Sequence, residues 1–305
     1  MTGLVEMAGV VVRAHRVRVP LRVPLGGREF RDVTLVEGPV GWGELSPLPG
    51  YPCDPARCEE AAREAAFVGW PAAVRAEVRV NGLVPAVDPE SAGELAGEAM
   101  ASGVTTLKVK VGGGSLSEDA DRVAAVRDAV GPRVRIRLDA NGAWDVDTAV
   151  AAIDRLAGFD LELVEQPVAD LADLARVRRR VAVPVAADES LRSLDDARRL
   201  AALDAADAVV VKVQPLGGVR GALQIIEAAG VPAIVSSLYE TSIGLAAGVA
   251  LAAALPELPF ACGLGTATLL AGDVVADPLI PRAGVLPVRR PEPDPALLER
   301  WGVEA

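Results

Sequence analysis

Histidine occurs once in this chain of 305 residues, cysteine three times and lysine three times, and each scarcity removes a class of chemistry. His15 lies in a basic N-terminal stretch, so a serine or cysteine triad would have to use that residue alone. Cys53, Cys58 and Cys262 are odd in number and lack C-x-x-C spacing, which argues against a disulfide framework and a structural zinc site. They read as ordinary thiols. Positive charge is also short: 31 basic residues face 42 acidic ones, for a net charge of −11 and a pI near 4.8. That balance argues against nucleic acid or an anionic membrane as the partner. A small anionic substrate stays compatible if the pocket is locally positive. No apolar run is long enough to span a bilayer; the longest, residues 243–255, stops at Pro256 and reads as a buried helix. The N-terminus carries Glu6 and reaches Arg13 without a cationic segment leading into a long apolar one. It therefore shows no signal peptide, and a cytoplasmic setting is expected.

What is present is a large apolar stock, 51% of the chain, enough for a substantial core. From about residue 78 onward, short β-branched runs alternate with alanine-rich helical stretches. The pattern predicts strands at residues 78–81, 105–111, 134–139, 161–166, 183–188, 208–214, 233–237 and 260–264. Helices are predicted at 89–101, 117–130, 145–156, 169–181, 194–203, 219–229 and 241–255. Eight such units with short connections imply parallel strands and a closed (β/α)8 TIM barrel, with a degenerate last unit. A doubly wound sheet would want a glycine-rich dinucleotide loop after the first strand, and there is none.

The first 76 residues differ. Residues 9–21 and 28–38 read as antiparallel strands joined by Gly26-Gly27, and 54–67 as a helix. An α+β capping domain is therefore expected over residues 1–76 and the barrel over 77–272. A C-terminal segment, 273–305, with a short helix near 296–301, is expected to pack back on the capping domain.

The lysines carry the first functional signal. Of 31 basic residues, only Lys108, Lys110 and Lys212 are lysines and the other 28 are arginines. Lysine can be tuned to give up its proton near neutral pH, whereas arginine cannot. Lys108 and Lys110 stand one residue apart in "TTLKVKVGGG", so on a strand they share one face. A plain reading remains open, that the pair is a solvated edge-strand decoration.

In a barrel enzyme, charged residues at the C-terminal strand ends read as catalytic. Strand three ends at Asp139, with Arg137 and Asn141 on the same face; strand four ends at Glu165, strand five at Asp188 and Glu189, and strand six carries Lys212. Asp139 to Glu165 is 26 residues, Glu165 to Asp188 is 23 and Asp188 to Lys212 is 24, each about one βα unit. Asp139, Glu165 and Asp188 would converge at the barrel mouth, where three carboxylates need a cation. Either Asp188 or Glu189 could be the ligand and the other a cap. Oxygen-only ligands favour a hard ion, and Mg2+ fits a site that leaves positions open for substrate oxygens. Lys110 and Lys212 would then approach a carboxylate substrate from opposite sides. Lys110 is the expected general base, with Lys108 beside it as a source of repulsion that makes it a better one.

The set "KVK", "LDANGAW", "EQP", "ADES" and "KVQPLGG", in this order and spacing, resembles the enolase superfamily, in the subgroup typified by muconate-lactonizing enzyme. "GWGELSPLPGY", residues 41–51, is similar to the capping loop that closes over substrate there. The resemblance implies Mg2+ on Asp139, Glu165 and Asp188, Lys110 as base, Lys212 as its counterpart, Lys108 as its tuner, and Asn141 and Glu189 as supports behind the ligands. Residues 236–258 resemble the seventh unit of the o-succinylbenzoate synthase family, which makes an aromatic menaquinone precursor by dehydration. That likeness implies substrate contacts from Arg137, Ser236, Ser237 and Gly263. The chain departs from the pattern at Leu238-Tyr239, where small or aliphatic residues are expected. N-Succinylamino acid racemisation or dipeptide epimerisation would use the same lysines, and a metal-binding scaffold without catalysis is the alternative of another class. The motifs leave the oligomeric state open.

Overall fold

The structure, a computed structural model, describes residues 2–7 and 10–303. Gly9, where the first predicted antiparallel strand begins, lies outside the described residues, as do residues 1, 304 and 305 of the predicted terminal segments. β1 (Thr2–Met7), β2 (Val10–Leu25), β3 (Arg28–Gly38) and β4 (Gly41–Leu45) form one antiparallel sheet in that order. The β2–β3 turn is Gly26-Gly27, both at positive φ, with Leu25 paired to Arg28. This two-residue turn matches the twist of the strands only if both positions accept φ > 0. Strand alternation buries Val17, Val19, Val33 and Leu35 on one face. Helix α1 (Pro55–Arg63) starts at Asp54, whose carboxylate accepts the Ala56 amide, and runs into a wide turn, Glu64–Val68.

The chain then enters the barrel through one extended run that changes partner as it goes. Its first part, β5 (Glu77–Arg79), pairs antiparallel with the late strand β13 (Val285–Pro287); its last part, β6 (Gly82–Val84), pairs parallel with β7 (Thr106–Lys110). The first barrel strand is thus displaced from the expected 78–81. The reason is that the backbone of residues 79–81 is spent on closing the barrel instead. Between β6 and β7 lies α2 (Pro89–Ala101), and the alternation continues through α3 (Leu116–Val130), β8 (Arg135–Asp139), α4 (Val146–Leu156), β9 (Leu161–Glu165) and α5 (Leu171–Arg178). It ends with β10 (Val185–Ala187), α6 (Leu194–Leu203), β11 (Ala208–Lys212), α7 (Val219–Ala229), β12 (Ala233–Ser236) and α8 (Ser242–Ala254). Strands β6 to β12 make a seven-stranded parallel sheet in chain order. The eighth position, expected as strand 260–264, is held by isolated bridges alone: Cys262 to Val80 on one side and Gly263 to Ser236 on the other. Three backbone hydrogen bonds, Cys262 to Arg79, Asn81 to Cys262 and Gly263 to Val235, close the circle at 2.8–2.9 Å. A short 3-10 turn, Thr266–Leu269, replaces the eighth helix. The last unit is therefore degenerate, as the pattern predicted.

Leu163, Ala186, Ala208, Val210 and Ile234 fill the barrel, while the larger core lies between strands and helices. Two carboxylates of the N-terminal part reach across to barrel helices. Glu64 accepts the Val219 and Arg220 amides at the start of α7, where the preceding Gly218 has no side chain to cap with, and Glu44 does the same for α8. Helix α9 (Pro295–Trp301) returns to β2, where the Val303 amide donates to the Arg16 carbonyl at 3.0 Å. Among the described residues no helix is long and apolar enough to cross a membrane.

Candidate active site

Strand register assembles the site. Lys110 is the Cα partner of Asp139, and Asp139 of Glu165, so three of the expected residues form one row across the ends of β7, β8 and β9. Asp188 follows β10 by one residue. Lys212 ends β11 as the partner of Ser236, which bridges to Gly263. Leu107 and Val109 point the other way and are fully buried, leaving Lys108 and Lys110 to face inward. The spacing of one βα unit between the acids thus becomes a common height at the barrel mouth.

The side chains form two linked ion-pair groups. Lys108 Nζ lies 2.8 Å from Asp139 Oδ2 and 3.0 Å from Glu165 Oε1, and Lys110 Nζ lies 2.7 Å from the same Asp139 oxygen and 2.6 Å from Asn141 Oδ1. The two β7 lysines therefore meet through a shared carboxylate oxygen. Lys212 engages both oxygens of Asp188, and the Tyr51 hydroxyl donates to Asp188 Oδ1 at 2.9 Å. The Tyr51 ring lies 4.3 Å from the Lys212 ammonium. Asn141 also donates to Glu189 Oε1 at 2.9 Å and takes positive φ to do so.

Burial sets the electrostatics. It raises the Glu165 carboxyl, with the Asp139 charge adding to it, and the result is pushed up to about 8 despite Lys108. Burial would raise Asp139 as well, but Lys108 and Lys110 outweigh it and hold Asp139 below the usual carboxylate range. Burial likewise opposes charge on Lys108 and on Lys212, yet Asp139 and Glu165 for the first, and Asp188 and Glu165 for the second, hold both above the ordinary lysine value. Four carboxyl groups, Asp139, Glu165, Asp188 and Glu189, face three ammonium groups, and burial holds the Glu165 and Glu189 carboxyls above the ordinary value. Glu189 Oε2 is buried with no hydrogen-bond partner. A buried, oxygen-only donor set whose carboxyls burial disfavours as anions suits a hard divalent cation, which would supply the missing positive charge. Among the described residues no three such side chains already form a ligand cage, because the lysines occupy the carboxylates. Asp139, Glu165 and Asp188 are the residues that could hold a metal.

A cavity of about 680 Å3 opens above this row. Lys108, Lys110, Asp139, Asp188 and Lys212 line it together with Asn141, Glu189, Ser236, Ser237 and Gly263. Leu25, Leu48 and Tyr51 of the N-terminal part cover it. Ser237 Oγ also meets the Thr266 hydroxyl at 2.9 Å.

Arg137 stands elsewhere and is corrected here. It faces inward as expected, but one layer below Asp139: its guanidinium donates to Glu162 and to the Ala261 carbonyl and lies 5.3 Å from the Phe260 ring. It is 1% exposed and is not on the cavity wall, so it ties the barrel floor together rather than meeting substrate. Two contributors went unassigned in the sequence. Tyr51 was visible only as the end of the capping loop. Gln166, inside "EQP", accepts the Asp188 amide at 2.7 Å and the Ser190 hydroxyl at 3.0 Å, and so sets the turn that presents Asp188.

Comparison with known proteins agrees with this geometry. The family described as Enolase C-terminal domain-like matches residues 91–293, and that described as Enolase N-terminal domain-like matches residues 16–66. The chain is 58% identical to the o-succinylbenzoate synthase of Thermobifida fusca, over 89% of this chain and 86% of that protein. It is 45% identical to the o-succinylbenzoate synthase of Mycolicibacterium smegmatis, over 97% of this chain and 92% of that protein. Among solved structures it is similar to the dipeptide epimerase from Enterococcus faecalis V583, with a TM-score of 0.80 and 27% identity over 92% of this chain and 97% of that one. With both of its parts matched and relatives of that identity covering nearly its whole length, the chain belongs to the enolase superfamily.

Proposed function

We propose that the chain is a Mg2+-dependent o-succinylbenzoate synthase, removing water from 2-succinyl-6-hydroxy-2,4-cyclohexadiene-1-carboxylate on the way to menaquinone. The observation that carries the reaction type is the placement of Lys110 and Lys212 in one cavity with three buried strand-end carboxylates between them. The substrate follows from the relatives at 45–58% identity. Asp139, Glu165 and Asp188 would hold the Mg2+ ion, which would supply positive charge that acidifies the proton α to the substrate carboxylate.

Lys110 is the most exposed of the three lysines to the cavity, its side chain 29% accessible against 14% for Lys108 and 7% for Lys212. In its neutral form it takes the α-proton, and the ammonium so formed returns a proton to the hydroxyl leaving from the same face, which makes the elimination syn. Lys108, bridged to Lys110 through Asp139, adds positive charge beside the base. Lys212, paired with Asp188 and backed by Tyr51, stays protonated and stabilises the negative charge that develops on the substrate. Asn141 and Glu189 hold Lys110 and the Asp188 turn in place. Ser236 and Ser237 bind the succinyl carboxylate at the far wall, while the Gly263 backbone, whose amide is spent on the Val235 carbonyl and whose oxygen accepts from Ser237, holds these serines in place. The acidic composition and the free thiols fit a cytoplasmic setting.

The test is the loss of cyclohexadiene absorbance when the protein meets this substrate with and without Mg2+. Metal-dependent formation of o-succinylbenzoate is expected, and no turnover abandons the substrate. The two lysines at opposite sides also favour a second reading, racemisation or epimerisation of an N-acylated amino acid. Its measurement is α-proton exchange of N-succinylamino acids and dipeptides in D2O.

A further inference from the structure

Cys53 and Cys58 are not isolated thiols: their sulfurs lie 2.8 Å apart. The contact follows from the way α1 begins. Asp54 is its N-cap, Pro55 the first helical residue, Cys53 the residue before the cap and Cys58 the fourth in the helix. Side chains at these two positions meet at the start of many helices and are usually apolar, fixing the angle at which the chain enters. Here the meeting pair are thiols. Cys58 is fully buried, whereas Cys53 is half-buried and followed by four exposed residues, so one sulfur is reachable from solvent and the other waits behind it. The contact between the two thiols lowers the Cys53 thiol and, together with burial, raises that of Cys58. A solvent-reachable thiol thus stands in contact with a buried one. The third cysteine, Cys262, is fully buried in the barrel seam.

We propose that Cys53 and Cys58 are a reversible oxidation site, which closes to a disulfide when it meets hydrogen peroxide and thereby moves the capping-loop segment that carries Tyr51. The Cys53 thiolate attacks one peroxide oxygen, the O–O bond breaks, and the released hydroxide takes a proton to become water, leaving Cys53 as a sulfenic acid. Cys58 then attacks the Cys53 sulfur; its proton leaves with the sulfenic hydroxyl as a second water, and the S–S bond forms. Two thiols are oxidised and one peroxide is reduced to two waters. The sulfurs must close to roughly 2.05 Å, less than 1 Å from their present contact. Tyr51 is two residues from Cys53, and its hydroxyl holds Asp188 while its ring covers Lys212. A shift of that segment is therefore transmitted to the cavity.

The intact protein should be treated with graded hydrogen peroxide, the remaining thiols counted, and the peptides mapped by mass. The expected product is an intramolecular Cys53–Cys58 disulfide, two hydrogens lighter, with Cys262 unreacted and full reversal by dithiothreitol. Cys53→Ser should lose no hydrogens under the same treatment and keep normal turnover when reduced. That variant leaves the buried Cys58 untouched, so a folding defect is not expected to obscure the result. Conversion of Cys53 to sulfinic acid, disulfides between molecules, or two persistent free thiols would each overturn the site. The thiol measurements are independent of the proposed activity; the turnover arm alone rests on that reading. Oxidised wild type should turn over at least several-fold more slowly than reduced protein, and Cys53→Ser should be insensitive to peroxide. A disulfide that forms and leaves turnover unchanged overturns the coupling to Tyr51.

Discussion

Glu44 of β4 accepts the amide hydrogen of Gly244, in the first turn of α8, at 2.9 Å. The same carboxylate takes the Thr241 amide and hydroxyl and the Ser46 hydroxyl, so one buried side chain of the N-terminal part satisfies the start of the seventh-unit helix. Burial pushes Glu44 up to about 7, against the Ser46 and Thr241 hydrogen bonds, which favour its charged form. Its unfolded value is the ordinary 4.5, so as pH rises the unfolded chain releases this proton before the folded one does. The stability Glu44 supplies is complete below pH 4.5 and is lost as pH climbs to 7. The full difference is about 3 kcal/mol. Urea unfolding of wild type and Glu44→Gln across that window should show a steeper fall for wild type; parallel slopes would refute the assignment.

The same contact predicts that a usually helpful substitution fails. Glycine to alanine within a helix ordinarily stabilises by about 1 kcal/mol. A Cβ on Gly244, however, would lie 2.8 Å from Glu44 Cδ and from Glu240 Cβ. Gly244→Ala should therefore destabilise, by about 1–3 kcal/mol. Gly97 of α2 has nothing within 4 Å of its added Cβ and is the matched control. Gly97→Ala should raise the melting temperature while Gly244→Ala lowers it, and equal shifts would show that α8 is not held this closely.

Tyr51 makes two separable contributions at Asp188 and Lys212. Tyr51→Phe keeps the ring over the Lys212 ammonium and removes only the hydrogen bond to Asp188. Turnover should fall several-fold, and stability by up to about 1.5–3 kcal/mol, the contribution of one hydrogen bond to a charged group. Tyr51→Leu should cost more, because it removes the ring as well. Identical kinetics for the two variants would show that the ring contributes nothing.

Which parts of this could be read from residues alone follows from how local their causes are. Asp139, Glu165, Asp188 and Lys212 were legible because a parallel barrel turns a spacing of one βα unit into a common height, and the strand register sets Lys110, Asp139 and Glu165 in one row. Helix starts at Asp54, Ser115 and Asp145 were close to expectation because capping is a local matter. Arg137 was misplaced because alternation gives the face of a strand and not the depth of a layer. The first strand slipped because residues 77–84 serve three partners in turn, a tertiary fact with no signature in a short β-branched run. Tyr51 over Lys212 and Glu44 on α8 join residues more than 150 positions apart. The Cys53–Cys58 contact was local and still unread, since a spacing of five does not match a familiar thiol motif.

The two lysines that face each other distinguish dehydration from epimerisation. In a syn elimination one base serves both proton transfers, so Lys110→Ala should lower turnover at least roughly a hundredfold, the scale of general acid–base catalysis. Lys212→Ala should also be slow, because the developing charge on the substrate loses its ammonium. It should nonetheless retain exchange of the substrate α-proton with D2O, which depends on Lys110. Epimerisation requires a base on each face, so Lys110→Ala and Lys212→Ala would then each abolish inversion while exchanging the α-proton of opposite enantiomers. Mg2+ binding by calorimetry gives a readout independent of turnover: both variants should still bind the ion, because Asp139, Glu165 and Asp188 are untouched. Near-normal dehydration by Lys110→Ala would remove this residue from the mechanism, whatever the metal does.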